Sequence, residues 1–277
     1  MANSKEPFMA IKPRSTISWT TEHRVAVGRY MVPCVSDLEE GYKQPKGVIP
    51  CPTSFVRKVF SPLLKLRRSL LGLRDFLLVD GFIEREAGRL IRKYVSNDSV
   101  FLEIGCGNMS LRRFLPEGLC YNAIDLLFME PGLVAVLAEG PKVNICVASA
   151  TQIPVESNTA TLLVSTETFP HIPNIDRTIE ELHRISAPNA VLICSNPNRY
   201  CWKYEKKGPH PRQVHKWTFE GFIRFMQDRN FKFLEGSMTG WWIPFPLWLT
   251  RTSYQLPITS KSEFLNTTFF HVFQAIK

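Results

Sequence analysis

No apolar run in this chain of 277 residues reaches the ~20 residues that a membrane-spanning helix needs. An integral helical membrane protein is therefore not expected. The opening residues, Met1-Ala2-Asn3-Ser4-Lys5-Glu6-Pro7, lack the apolar centre of a secretory leader. The seven cysteines include no CxxC pair. Cys34 and Cys51 stand without neighbouring ligands, and Cys106, Cys146 and Cys194 sit in apolar strand-like runs. Those spacings argue against a zinc site or a disulfide framework and predict reduced, buried thiols in a cytoplasmic protein with no metal. Internal repeats and low-complexity segments are also missing.

Acidic residues are in deficit, and unevenly so. Residues 1–96 hold 17 Lys and Arg against 9 Asp and Glu, whereas residues 97–277 hold 17 against 16. The net +9 thus resides almost wholly in the first third. Such a placement points to a partner surface there: anionic lipid, nucleic acid or an acidic substrate.

Three regions are expected. Residues 1–54 carry Pro7, Pro13, Pro33, Pro45, Pro50 and Pro52 and read as an irregular arm with one short strand near Val25–Val32. Residues 55–96 read as a basic helical extension. Phe55, Val59, Phe60, Leu63, Leu64, Leu66, Leu70 and Leu71 recur near the helical period, between Arg57, Lys58, Lys65, Arg67, Arg68 and Arg74. This part either caps a core or rests on an anionic membrane surface through residues 55–75. A second helix is expected from Gly81 to Tyr94.

From residue 97 strands and helices alternate. Strands are expected at Val100–Ile104, Cys120–Ile124, Val143–Val147, Ala160–Ser165, Ala190–Cys194, Phe231–Leu234 and Thr267–Ile276. Helices are expected from Ser110, over Ile175–Ile185 behind an Asn174 cap, and over Phe219–Asp228 behind Thr218. That alternation predicts a parallel sheet covered on both faces. Gly240-Trp241-Trp242-Ile243-Pro244-Phe245-Pro246-Leu247-Trp248-Leu249 reads as a Trp-rich insertion near residues 240–250 rather than a helix or central strand.

The chemistry concentrates at Val100-Phe101-Leu102-Glu103-Ile104-Gly105-Cys106-Gly107-Asn108. An apolar strand runs into an acid and then a Gly-x-Gly turn. Glycine there permits positive φ or close approach of a ligand to the backbone. The Glu103 carboxylate is expected at the mouth of the turn, repelling phosphate and favouring a cationic or hydroxyl-bearing ligand. Asp125 closes the second strand, where an acid commonly accepts hydrogen bonds from ribose hydroxyls in doubly wound folds.

With Ala148-Ser149-Ala150-Thr151, Thr161–Ile172, the helix before Ser186 and Val191–Asn198, these segments resemble, in order, class I S-adenosylmethionine-dependent methyltransferases. The resemblance covers about residues 98–235. It is nearest to the type 11 subgroup acting on small molecules, quinones, sugars and lipids. It implies an α/β, Rossmann-like, seven-stranded, mostly parallel sheet with an antiparallel last strand, occupying residues 97–277, and S-adenosyl-L-methionine as cofactor. It also implies cofactor contacts at Glu103, Gly105, Cys106, Gly107, Asp125, Ser149, Ala150, Thr151 and Thr166. The expected acceptor is a small amphiphilic or glycosylated molecule methylated on oxygen. His171 is the candidate base, with His210 and His215 behind it.

Four positions depart from the family pattern: Met109 for a small residue, Ser149 and Thr161 for acids, and Pro188-Asn189-Ala190 for a Pro-Gly-Gly turn. They leave open a non-catalytic scaffold docked on a membrane. An RNA methyltransferase is the other alternative, although no Asn-Pro-Pro-Tyr follows the fourth strand.

Overall fold

A computed structural model describes residues 17, 25–27, 30–32, 81–107, 109–126, 142–201, 213–243, 254–256 and 258–277. The basic segment 55–75, His210 and the Trp-rich residues beyond Ile243 lie outside them.

Among the described residues ten strands form one sheet. In chain order they are β1 (Val25–Val27), β2 (Tyr30–Val32), β3 (Phe101–Ile104), β4 (Tyr121–Asp125), β5 (Val143–Val147), β6 (Ala160–Thr166), β7 (Ser186–Pro197), β8 (Phe231–Ile243), β9 (Tyr254–Leu256) and β10 (Asn266–Ala275). Their spatial order is β1-β2-β5-β4-β3-β6-β7-β10-β8-β9. The central seven, β5 to β8, are the expected sheet: β5, β4, β3, β6 and β7 run parallel, and the last strand, β10, is antiparallel to both neighbours. The single strand expected near Val25–Val32 is instead an antiparallel pair, added to the β5 edge by the register Met31↔Cys146.

Helices α1 (Phe82–Tyr94), α2 (Ile175–Ile185) and α3 (Phe219–Gln227) cover the sheet. Asn174 caps α2 by accepting from the Arg177 amide at 3.2 Å. Ile175, Ile179 and Leu182 then fall on its buried face at the helical spacing of three and four. Thr218 caps α3 in the same way, through the Gly221 amide at 2.9 Å. One core joins α2 and α3 to Leu102, Ile104, Leu163, Leu192 and Phe269. The other joins Ala87, Leu90 and Ile91 of α1 to Phe101, Tyr121, Val164 and Phe270. The arm residue Ile17 is buried in the first core, and its backbone bonds Asn122 and Asn144.

Three elements differ from expectation for local reasons. The helix expected from Ser110 is a 3-10 turn, Ser110–Phe114. β7 is longer than Ala190–Cys194 because a bulge opposite Ala160/Leu162 absorbs residues 187–190, with Asn189 at φ 62°. Asparagine tolerates that left-handed conformation better than most residues, so it replaces the family's glycine. β8 is much longer than Phe231–Leu234 and takes in Trp241–Ile243, which pair with β9. Its glycines act as slots. A Cβ on Gly236 would stand 2.5 Å from the Phe219 ring, and one on Gly240 2.6 Å from the Phe82 ring. These glycines therefore seat aromatic rings within a strand.

Among the described residues no helix is long and apolar enough to cross a membrane. No group of His, Cys, Asp and Glu among them is arranged to hold a metal.

Candidate functional site

Parallel strands deliver their carboxyl ends to one edge, and the point where strand order reverses leaves a crevice there. In this sheet the reversal lies between β3 and β6. The turn after β3, the end of β4, the segment after β5 and the end of β6 converge on it.

The first turn is built from its backbone. Gly105 and Cys106 amides both donate to the Ile124 carbonyl, at 2.9 and 3.3 Å, and the Met109 amide donates to Cys106 O at 2.7 Å. Gly105 and Gly107 have φ of 73° and 49°. At Gly105 the need for glycine is also steric, because an added Cβ would meet Thr168 Oγ1 at 2.1 Å. An added Cβ at Gly107 meets nothing within 4 Å among the described residues, so this residue offers backbone at a face open toward them. Its amide donates to Asp125 Oδ2 at 2.8 Å, joining the turn to the end of β4.

Met109 does not crowd the turn. It takes the left-handed conformation at φ 57° and packs its side chain, 4% exposed, in the core beneath α1. Thr161 also has a visible role: its hydroxyl accepts from the Val100 amide at 2.9 Å, closing the amino end of the β3–β6 pair.

After β5, the Ala148 amide donates to the Asp125 carbonyl at 3.0 Å, which holds Ser149, Ala150 and Thr151 beside that acid. The Ser149 and Thr151 hydroxyls are 2.7 Å apart, and the Thr151 amide donates to Ser149 Oγ at 3.2 Å. The acid expected in relatives at position 149 is thus replaced by a hydroxyl pair. Thr166 ends β6 in register with Ser195. His171 ends a 3-10 turn, Phe169–His171, and is partly buried. Its amide donates to the Thr168 carbonyl at 3.0 Å. His215 packs nearby: its amide reaches Pro170 O and its Nε2 lies 2.9 Å from Ile172 O, with the ring stacked on Trp217.

Glu103 is not where the sequence placed it. The residue is 2% exposed, and its Oε2 accepts from Tyr121 Oη at 2.5 Å. Burial, offset by that hydrogen bond and reinforced by the charge of Asp125, pushes it up to about 8. Burial, with the charges of Glu103 and Asp125, likewise raises the Cys106 thiol.

Sequence reasoning missed Glu167 and Asn196. Glu167 leaves β6 at φ 55°, with its amide bonded to Ser195 O and Oγ at 3.1 Å each. A non-glycine in that conformation carries strain that often marks a functional turn; no residue pattern announces it. Asn196 is buried near the end of β7, and neither amide atom has a hydrogen-bond partner.

These features can hold a nucleoside-bearing cofactor. Asp125 suits hydroxyl donors, Gly107 leaves room at the backbone, and residues 148–151 supply a hydroxyl-lined rim. A family model described as a methyltransferase domain matches residues 79–235, more than half of the chain. Among solved structures, an S-adenosylmethionine-dependent methyltransferase from Methanosarcina mazei is 18% identical, with a TM-score of 0.52 over 68% of this chain and 97% of that one. A chain of the Haloferax volcanii complex that contains the Trm112 methyltransferase activator is 15% identical, with a TM-score of 0.56 over 76% and 96%. An S-adenosylmethionine-dependent methyltransferase from Thermotoga maritima is 15% identical, with a TM-score of 0.51 over 80% and 100%. At such identities the likeness is one of fold. The sequence has no significant match among curated proteins. The matched domain, read with the β5-β4-β3-β6-β7-β10-β8 order, shows that this chain belongs to the methyltransferase domain family and has the class I, Rossmann-like fold of S-adenosylmethionine-dependent methyltransferases.

Proposed function

We propose that this protein transfers the methyl group of S-adenosylmethionine to an oxygen of a small amphiphilic or glycosylated acceptor. The observation that carries the cofactor reading is the Gly107 amide bonded to Asp125 at the reversal of strand order, with an open backbone face beside it. Gly105, Cys106 and Gly107 line one side, Asp125 takes the ribose hydroxyls, Ser149, Ala150 and Thr151 border the adenine, and Thr166 closes the β6 side. The cofactor supplies a sulfonium-activated methyl group, so the protein's part is mainly alignment, which contributes about 7–11 kcal/mol in well-oriented systems.

An acceptor hydroxyl must lose its proton, and His171 is the side chain assigned to receive it. It follows β6 at the carboxyl edge, and an imidazole titrates near neutrality. The amphiphilic character of the acceptor rests on the Trp-rich sequence after Gly240 and on the basic, leucine-rich residues 55–75. We assign the latter to contact with an anionic membrane.

Titration calorimetry with S-adenosylmethionine tests the cofactor site. The wild type should bind in the micromolar range, and Asp125→Ala should weaken binding at least tenfold, the scale of a lost charge-assisted hydrogen bond. Equal affinity in the variant would misplace the site. Once an acceptor is in hand, His171→Ala should lower kcat more than KM.

A further inference from the structure

The hydroxyl-bearing turn after β5 is pinned at both ends. At its start the Ala148 amide donates to the Asp125 carbonyl at 3.0 Å, and within it the Gln152 amide donates to the Ser149 carbonyl at 3.1 Å. Its far end, Ile153, is gripped by two side chains of α2. The Ile153 amide donates to Glu181 Oε2 at 2.9 Å, and the Ile153 carbonyl accepts from Arg184 Nη2 at 2.8 Å. Arg184 Nη1 also donates to the Val155 carbonyl at 2.7 Å. Spaced i to i+3 on the helix, the two side chains share one face and reach the same stretch of chain. We propose that Glu181 and Arg184 form a clasp that holds the Ser149–Thr151 turn in its adenine-bordering position, and so act as positioning residues for the base of the cofactor. This rests on the cofactor reading given above.

The clasp is itself rigid. Arg184 Nε and Nη2 donate to the two oxygens of Glu181 at 2.9 and 2.8 Å. That planar fork leaves the other N–H bonds of the guanidinium directed at Ile153 and Val155. Arg177 Nη2 adds a bond to Glu181 Oε1 at 3.2 Å. Glu181 is 3% exposed, and a buried ion pair adds little net stability over apolar residues of the same volume. The helix already docks through Ile175, Ile179, Leu182 and Ile185. What apolar side chains at 181 and 184 could not do is satisfy both backbone polar groups of Ile153, whose own side chain is buried in the core, and so fix its place. Residues 149–152, between the Asp125 anchor and the clasp, therefore have neither end free.

The test uses the full chain, with S-adenosylhomocysteine and the base-free S-ribosylhomocysteine as calorimetric probes, the second titrated by displacement of the first. Arg184→Lys keeps a charge beside Glu181 but cannot hold Glu181, Ile153 and Val155 together. It should weaken S-adenosylhomocysteine about five- to thirtyfold, the scale of one or two lost hydrogen bonds, and S-ribosylhomocysteine less than about twofold. Glu181→Gln, which turns one acceptor into a donor facing Arg184, should act in the same way. Arg177→Ala removes an exposed ion-pair partner but leaves the grip on Ile153, so both affinities should stay within about twofold of the wild type. In the wild type without probe, hydrogen exchange at the Gln152 and Ile153 amides should already be slow, and binding should slow it by less than about threefold. Amides protected only when the probe is bound would overturn the proposal without recourse to any variant, because the clasp would not preset the turn. Unchanged S-adenosylhomocysteine affinity in folded Arg184→Lys would overturn it too, as would equal losses for the two probes, the mark of a general loosening of the domain. A wild type that ignores millimolar S-adenosylhomocysteine would overturn the cofactor reading instead, a result distinct from any of these.

Discussion

Substituting Gly105 by alanine tests the construction of the turn most directly. The residue sits at φ +73°, and an added Cβ falls 2.1 Å from Thr168 Oγ1, 2.4 Å from its Cγ2 and 2.8 Å from its Cβ. The backbone conformation alone costs an L-residue about 1–2 kcal/mol. Forcing a methyl group into a packed contact adds about 1–3 kcal/mol. Gly105→Ala should therefore lose roughly 2–5 kcal/mol, or about 5–15 °C in melting temperature for a domain of this size. Thr168 cannot yield freely, because its hydroxyl donates to Thr166 O at 3.0 Å and lies near the Ile104 and Gly105 carbonyls. A double-mutant cycle separates the two costs. In a Thr168→Gly background all three overlapping atoms are gone, and Gly105→Ala should cost only the conformational ~1–2 kcal/mol. Urea unfolding followed by circular dichroism measures each corner. Equal costs in the two backgrounds would refute the steric account. A loss below about 1 kcal/mol in the single variant would refute both parts.

Two other substitutions probe the surroundings. Met109→Gly relieves left-handed strain of about 1–2 kcal/mol but removes a buried side chain whose loss costs about 2–5 kcal/mol. Unfolding should register a net loss of about 1–3 kcal/mol, while calorimetry finds cofactor affinity within threefold of wild type; a tenfold change would return Met109 to the ligand face. His271, ringed by Phe219, Phe222, Phe269 and Phe273, is lowered by burial to about 3. Below pH 6.5 the unfolded chain takes up a proton that the folded chain refuses, so this residue contributes stability above that pH which is lost as pH falls toward 3. The loss is about 2 kcal/mol by pH 5. Between pH 7 and 5 His271→Leu should lose less stability than the wild type by that amount; parallel profiles would mean that His271 accepts a proton while folded.

The sheet was legible because its signals are local and repeated. Val100–Ile104, Cys120–Ile124 and Val143–Val147 are short apolar runs bounded by turn residues, and Asn174 and Thr218 announce α2 and α3. The carboxyl end of β8 was not legible. Gly236 and Gly240 imitate breakers in sequence, and only the rings of Phe219 and Phe82, distant along the chain, show why a strand needs them. At the site, Gly105, Gly107 and Asp125 were readable from spacing. The placement of Glu103 was not, since an acid at a strand end gives no sign that a tyrosine at the start of the next strand will cover it. Glu167 and Asn196 were missed because strain and an unpartnered amide depend on three-dimensional context, not on residue pattern.

The glycine slots of β8 also bear on how the molecule folds. A strand slipped by two residues keeps its faces but changes every partner. Were β8 to pair with β10 in such a register, Leu234 or Met238 would arrive where Gly236 now lies opposite His271, and the Phe219 ring would meet a side chain instead of bare backbone. The aromatic residue on α3 thus works as a key cut for one position of the strand. Misregistered pairings of these long antiparallel strands are penalised when the helix docks.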